Sequence, residues 1–228
     1  GWLKTVADLC ASNNAHLIAD EIMTGFGRVT DASRADAPLF ATQQEGVVPE
    51  FLSLAKGITG GYLPMAATLT TTSIFNAFLG EYDEFKTFFH GHSYTANQIG
   101  AAAALASLAL LQSERSRQSR IALAKNMARE IKSLWALPQI GDIRQVGQVV
   151  GIELVRNWRT REPFALPERS GIRVCEAMAQ RGVLTRPIGN VIVIMPPYCT
   201  TKKQVGKIFT ALRESIEETL PHSSIVED

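Results

Sequence analysis

Leu52-Ser53-Leu54-Ala55-Lys56-Gly57-Ile58-Thr59-Gly60-Gly61-Tyr62 is the stretch on which the reading of this chain turns. The apolar run Phe51 to Ala55 reads as a buried strand, and it delivers one lysine into a segment with three glycines within five residues. The neighbours of Lys56 are apolar or lack side chains, which disfavours a hydrated ammonium and favours the neutral, nucleophilic amine. Such a lysine is suited to Schiff-base chemistry. The competing reading is that Lys56 ends an edge strand and points to water, and the stretch alone leaves both open.

Upstream, Trp2, Leu3, Val6, Leu9 and Cys10 recur at helical spacing, so residues 2 to 12 are expected to form an amphipathic helix, stopped by Ser12-Asn13-Asn14. His16 to Ala19 then reads as a short strand, with Asp20 and Glu21 where it leaves the sheet. Helix, loop and buried strand in this order predict an α/β fold with a parallel-rich sheet. Ligands of such sheets sit beyond the carboxyl ends of the strands, which places Asp20 and Lys56 on one rim. Residues 22 to 28 form a glycine-punctuated loop, and residues 30 to 50, polar and rich in turn formers, are expected at the surface.

Downstream, Leu63 to Thr70 reads as a strand and Thr72 to Leu79 as a short helix. An alanine-rich helix over 97 to 112 is apolar almost throughout and is expected to be buried. Ser93 and Thr95 stand at its start, where free N–H groups and the helix dipole suit an anion such as phosphate. A plain N-cap explains the same residues. A polar helix over Ser113 to Trp135 follows and ends at Leu137-Pro138. Beyond it come a hairpin around Gly147 and Gly151, a helix near Ser170 to Arg181, a second hairpin turning at Gly189-Asn190, and a helix over Thr201 to Leu220. The predicted organisation is part of a large domain in residues 1–112, a linking helix in 113–137, and a small C-terminal α+β domain in 138–228.

Composition narrows the class of partner. A net charge of +1 with evenly scattered Lys, Arg, Asp and Glu gives no basic stripe, which argues against nucleic acid and for a small-molecule ligand. Cys10, Cys175 and Cys199 are widely spaced, without CxxC or paired histidines, so neither a disulfide framework nor a metal site is indicated and a reducing, cytoplasmic setting is expected. No apolar run reaches the length of a membrane span.

A carboxylate and a lysine on one rim, with an anion site nearby, are what pyridoxal 5'-phosphate chemistry requires. The blocks LIADEIMTGFGR, LAKGITGGYLPMAA and HGHSYTAN, in this order, resemble the signature blocks of class III, fold-type I aminotransferases, over nearly the whole chain. The resemblance implies that Asp20 contacts the pyridine nitrogen, that Lys56 forms the Schiff base with the cofactor aldehyde, and that the enzyme is a homodimer in which Ser93 contacts the phosphate of the neighbouring subunit's cofactor. Arg28 and Tyr94 fall in matching blocks as further candidates, as does His90, although Arg28 and His90 are equally readable as braces of their loops.

Within the family, TFFHGHSYTANQIG, DIRQVGQVVGIELV and GVLTRPIGNVIVIMPPY are most similar to the biotin-pathway branch. That similarity implies amino transfer to 8-amino-7-oxononanoate, giving 7,8-diaminononanoate, from S-adenosylmethionine or lysine as donor. It also implies that Arg186 receives the substrate carboxylate, a role its planar fork suits; without the resemblance, Arg186 before Pro187 reads as a surface hairpin residue. Two alternatives stay open, another class III aminotransferase of ω-amino acids and a truncated, inactive subunit. The chain departs from the family pattern at Ala55, where serine is common, at Gln98, where proline is common, and at Val29-Thr30-Asp31. The family's earlier half, with its glycine-rich phosphate loop, has no counterpart here, so the chain resembles a C-terminal half, expected to be inactive alone.

Overall fold

Strand β1 (Ile18–Asp20) pairs in parallel with β2 (Phe51–Leu54), Ile18 beside Phe51 and Asp20 beside Ser53. The third strand, β3 (Ala67–Thr70), runs antiparallel to β2, so the sheet has the order β1-β2-β3 and is mixed. Expected from Leu63, β3 begins only at Ala67. The Thr59 hydroxyl donates to the Leu63 carbonyl at 2.6 Å, which ties that residue to the turn, and Pro64 has no N–H to give the ladder. Neither β1 nor β2 is fully covered: Ile18 is 66% exposed, and in β2 only Leu54 is buried.

This computed structural model describes residues 1–221, which fall into two units, Gly1–Arg117 and the residues from Gln118 onward. In the first unit, helix α1 (Trp2–Ser12) forms where its spacing predicts, yet buries none of its residues. The loop between β1 and β2 departs from expectation. Thr30, Ala32, Thr42 and Val47 are buried there, around the short helix α2 (Ala41–Gln44). The cause is long-range hydrogen bonding. Glu21, 2% exposed, accepts from the N–H groups of Ala41 and Thr42 at 2.8 Å each, and Arg117 Nε donates to the Ala32 carbonyl at 2.8 Å.

Helix α3 (Thr72–Asn76) is short and capped by the Thr71 hydroxyl, and α4 (Gln98–Gln112) follows a long irregular loop. The cap of α4 is Asn97, whose side-chain oxygen accepts from the Gly100 N–H at 2.9 Å. Ser93 and Thr95 therefore precede the helix; Thr95 Oγ1 is occupied by the His92 N–H in the preceding turn. Nor is α4 buried all round. It covers only Gly100, Ala104 and Leu111 fully, one stripe at helical spacing, while Ile99, Leu105 and Leu110 stay exposed.

The second unit contains most of α5 (Glu114–Glu130), a 3₁₀ turn at Ile131–Ala136, and an antiparallel sheet. Strand β4 (Ile140–Val146) turns at Gly147, whose φ of +55° suits glycine, into β5 (Val149–Asn157). A two-residue strand β6 (Glu162–Pro163) pairs with the end of β5. Helix α6 (Ser170–Gln180) leads to the hairpin of β7 (Arg186–Ile188) and β8 (Val191–Ile194), giving the order β4-β5-β8-β7. Helix α7 (Lys202–Thr219) opens on a capping box, Thr201 Oγ1 accepting from the Gln204 N–H while Gln204 Oε1 accepts from the Thr201 N–H. Ile152, Leu154 and Ile192 on the sheet, Val174 and Met178 on α6, and Leu212 and Ile216 on α7 make a continuous core. The segment expected as a linking helix supplies Leu123, Met127 and Leu134 to that core.

Candidate active site

Parallel pairing of β1 and β2 brings two of the sequence-predicted residues to the same end of one sheet. Asp20 is the last residue of β1 and lies beside Ser53, three residues ahead of Lys56. The Glu21 N–H continues the ladder to the Ser53 carbonyl at 3.0 Å, while the glutamate side chain turns inward to cap α2. Asp20 goes the other way. Its side chain is exposed, with Oδ1 accepting from the Ile22 N–H at 2.9 Å, so the carboxylate is held by its own turn at the rim.

Lys56 opens a 3₁₀ turn, Lys56–Thr59, with φ of +49°. A non-glycine residue in this left-handed region costs roughly 1–2 kcal/mol and persists only where its surroundings over-determine it. Those surroundings are on three sides. Below the turn, Phe26 is 2% exposed and packs edge-on against Phe40 at 5.3 Å; a Cβ built on Gly57 would lie 2.8 Å from the Phe26 Cβ. Behind it, Ser107 of α4 donates to the Gly57 carbonyl at 3.1 Å. At its end, Gly60 takes φ of +62°, and the Thr59 hydroxyl bonds Leu63. The Lys56 side chain is exposed, so of the two readings left open by the stretch the water-facing one holds, although β2 is the central strand of its sheet and not an edge. The strand delivers it past the carboxyl end of β2, and the contacts that hold the turn fall on the backbone of Gly57 and on Thr59 rather than on the amine.

The other expected residues lie on other segments of the chain. Arg28 is half-buried in the loop that also holds Phe26. Ser93 and Tyr94 are exposed in the loop before α4. Arg186 is exposed at the start of β7, the edge strand of the second unit's sheet, opposite Val193. Glu21 and Ser107 escaped the sequence reading. For Ser107 a signal existed, since it is the sole polar side chain between Ala101 and Leu111.

A carboxylate acceptor and a primary amine, both open to solvent on one rim, fit pyridoxal phosphate: one suits a protonated ring nitrogen, the other the aldehyde carbon.

Comparison with known proteins gives the same direction. The family model described as aminotransferase class-III matches residues 1–216. An adenosylmethionine-8-amino-7-oxononanoate aminotransferase of Anoxybacillus flavithermus is 48% identical over 96% of this chain and 47% of its own length. The crystal structure of the enzyme so named from Methanocaldococcus jannaschii superposes with a TM-score of 0.89 at 40% identity, over 97% of this chain and 50% of that one. A PLP-bound amine transaminase from an uncultivated Pseudomonas species gives a TM-score of 0.82 at 30% identity, over 94% of this chain and 47% of that one. The chain thus spans about half the length of the relatives it matches. On the extent of that family match and the likeness in fold, this chain belongs to the class-III aminotransferases.

Proposed function

We propose that this chain carries the lysine and aspartate of a pyridoxal-phosphate-dependent aminotransferase acting on 8-amino-7-oxononanoate. The observation that carries the reading is the Asp20–Ser53 register, which sets Asp20 and the left-handed Lys56 on one sheet rim. When bound, pyridoxal phosphate supplies an electron sink for the carbon that gains or loses the amino group. Asp20 would keep the ring nitrogen protonated, because a fixed anion beside a base favours its charged form. Lys56 Nζ would hold the cofactor between turnovers and carry the proton moved at the reacting carbon. Its exposure at the rim leaves the amine reachable by cofactor and substrate alike.

Substrate and donor rest on the names of the relatives, which pair adenosylmethionine with 8-amino-7-oxononanoate at 41–48% identity. Arg186 is assigned to the substrate carboxylate and Ser93 to the phosphate of a partner subunit's cofactor in a homodimer, with Arg28 and Tyr94 as further candidates. Residues 1–112 are assigned to the large domain, 113–137 to a linking helix and 138–228 to the small domain. No helix among the described residues is long and apolar enough to cross a membrane. Amino transfer to 8-amino-7-oxononanoate by the holoenzyme, assayed with S-adenosylmethionine and with lysine, tests the proposal. Product with S-adenosylmethionine is expected, and its absence with both donors would overturn the assignment.

A further inference from the structure

We propose that Ser107 is a positioning residue for Lys56, acting through the carbonyl of Gly57; this rests on Lys56 being the cofactor lysine. Ser107 sits on the stripe Gly100, Ala104, Ser107, Leu111 with which α4 faces the interior of its unit. A serine hydroxyl inside a helix ordinarily returns its proton to the carbonyl one turn back. Here the proton goes instead to the Gly57 carbonyl, fifty residues away in sequence, at 3.1 Å. That carbonyl also accepts the Gly60 N–H at 3.1 Å, so two donors fix the orientation of the Gly57–Ile58 peptide, the second peptide beyond the Lys56 Cα. The opposite side of Gly57 is closed by Phe26, with no room for even a methyl group. The turn is thereby held between a ring and a hydroxyl, and Lys56, next in the chain, keeps its unfavourable φ of +49°.

A purely spatial role for Ser107 makes a different prediction, because alanine would fill the stripe equally well. The hydroxyl is the tested atom. In the cofactor-free protein, Ser107→Ala is expected to speed hydrogen exchange of the amides in the Lys56–Gly60 turn by about fivefold, the loss of one net hydrogen bond, with exchange in β2 and α7 unchanged. In the holoenzyme the same variant is expected to lower kcat by up to about fivefold with little change in KM, since a loosened lysine affects the chemical step and not substrate binding. Ser107→Thr, which keeps the hydroxyl, should restore both. Exchange in Ser107→Ala at the parent rate would overturn the inference, as would a rise spread over the whole unit or failure of threonine to restore where alanine fails. Borohydride labelling of the holoenzyme samples separates this from its premise: a pyridoxyl group on another lysine ends the Lys56 assignment itself, whatever the exchange shows.

Discussion

Replacing Gly57 with alanine puts the grip on Lys56 under direct strain. The added Cβ would meet the Phe26 Cβ at 2.8 Å, Cδ2 at 2.9 Å and Cγ at 3.0 Å, where ordinary carbon contacts are about 3.5–4.0 Å. Phe26 has no easy retreat, being 2% exposed, packed edge-on to Phe40, and itself at φ of +59°. The turn must yield by several tenths of an ångström. Overpacking of this kind costs about 1–3 kcal/mol, and a displacement approaching an ångström at a reacting group costs on the order of a hundredfold in rate. Urea denaturation of the holoenzyme should show the lost stability, and kcat/KM should fall more steeply than stability alone explains. Wild-type stability together with an unchanged kcat/KM would refute the idea that Phe26 restrains the lysine turn.

Gly206 in α7 offers a contrasting outcome, because a Cβ there meets nothing within 4 Å and its φ is not positive; Gly206→Ala should stabilise by about 0.5–1 kcal/mol in the same denaturation assay. Burial, aided by the charge of Glu176, pushes the Cys175 thiol up to about 11, from a starting value of 9.0. The folded state thus holds the proton longer than the unfolded chain, so this contribution is intact below pH 9 and is lost as pH rises from about 9 to about 11; Cys175→Ala should flatten the alkaline limb of a stability–pH curve. Arg186→Ala should raise KM for 8-amino-7-oxononanoate about tenfold or more while the cofactor's visible absorbance stays intact, as expected of a side chain that meets substrate and not cofactor.

Much of this arrangement was legible in local chemistry. Gly57, Gly60 and Gly61 mark a glycine-rich segment after a strand, and the structure puts a 3₁₀ turn there with Gly60 left-handed. The hairpins turn at Gly147 and at Gly189-Asn190, while Gly151, read with Gly147, lies within β5; the apolar spacing of Val205, Ile208, Phe209, Leu212 and Ile216 follows the face of α7 that meets the core, Ile208 being only partly buried. What escaped depends on contacts distant in sequence. Asp20 and Glu21 are adjacent carboxylates, and only the donors at Ala41 and Thr42 decide that Glu21 is the buried one. Residues 30 to 50 read as surface because they are polar, yet Thr30 and Thr42 are enclosed once Arg117 reaches the Ala32 carbonyl. Ser93 was placed at the start of α4 on the strength of its hydroxyl, but Asn97 competes for that position and holds it. The apolarity of α4 could not by itself tell a helix buried all round from one that covers a single stripe.

Lys56 is proposed as the lysine that holds pyridoxal phosphate, and borohydride reduction of the holoenzyme followed by peptide mass spectrometry identifies that lysine. Reduction makes the lysine–cofactor bond permanent, so the modified residue can be read from the fragment masses. A pyridoxyl group is expected on Lys56, in the peptide that runs from β2 into the Gly57–Gly61 turn, and is expected to be lost in Lys56→Ala. A pyridoxyl group on any other lysine would contradict the assignment.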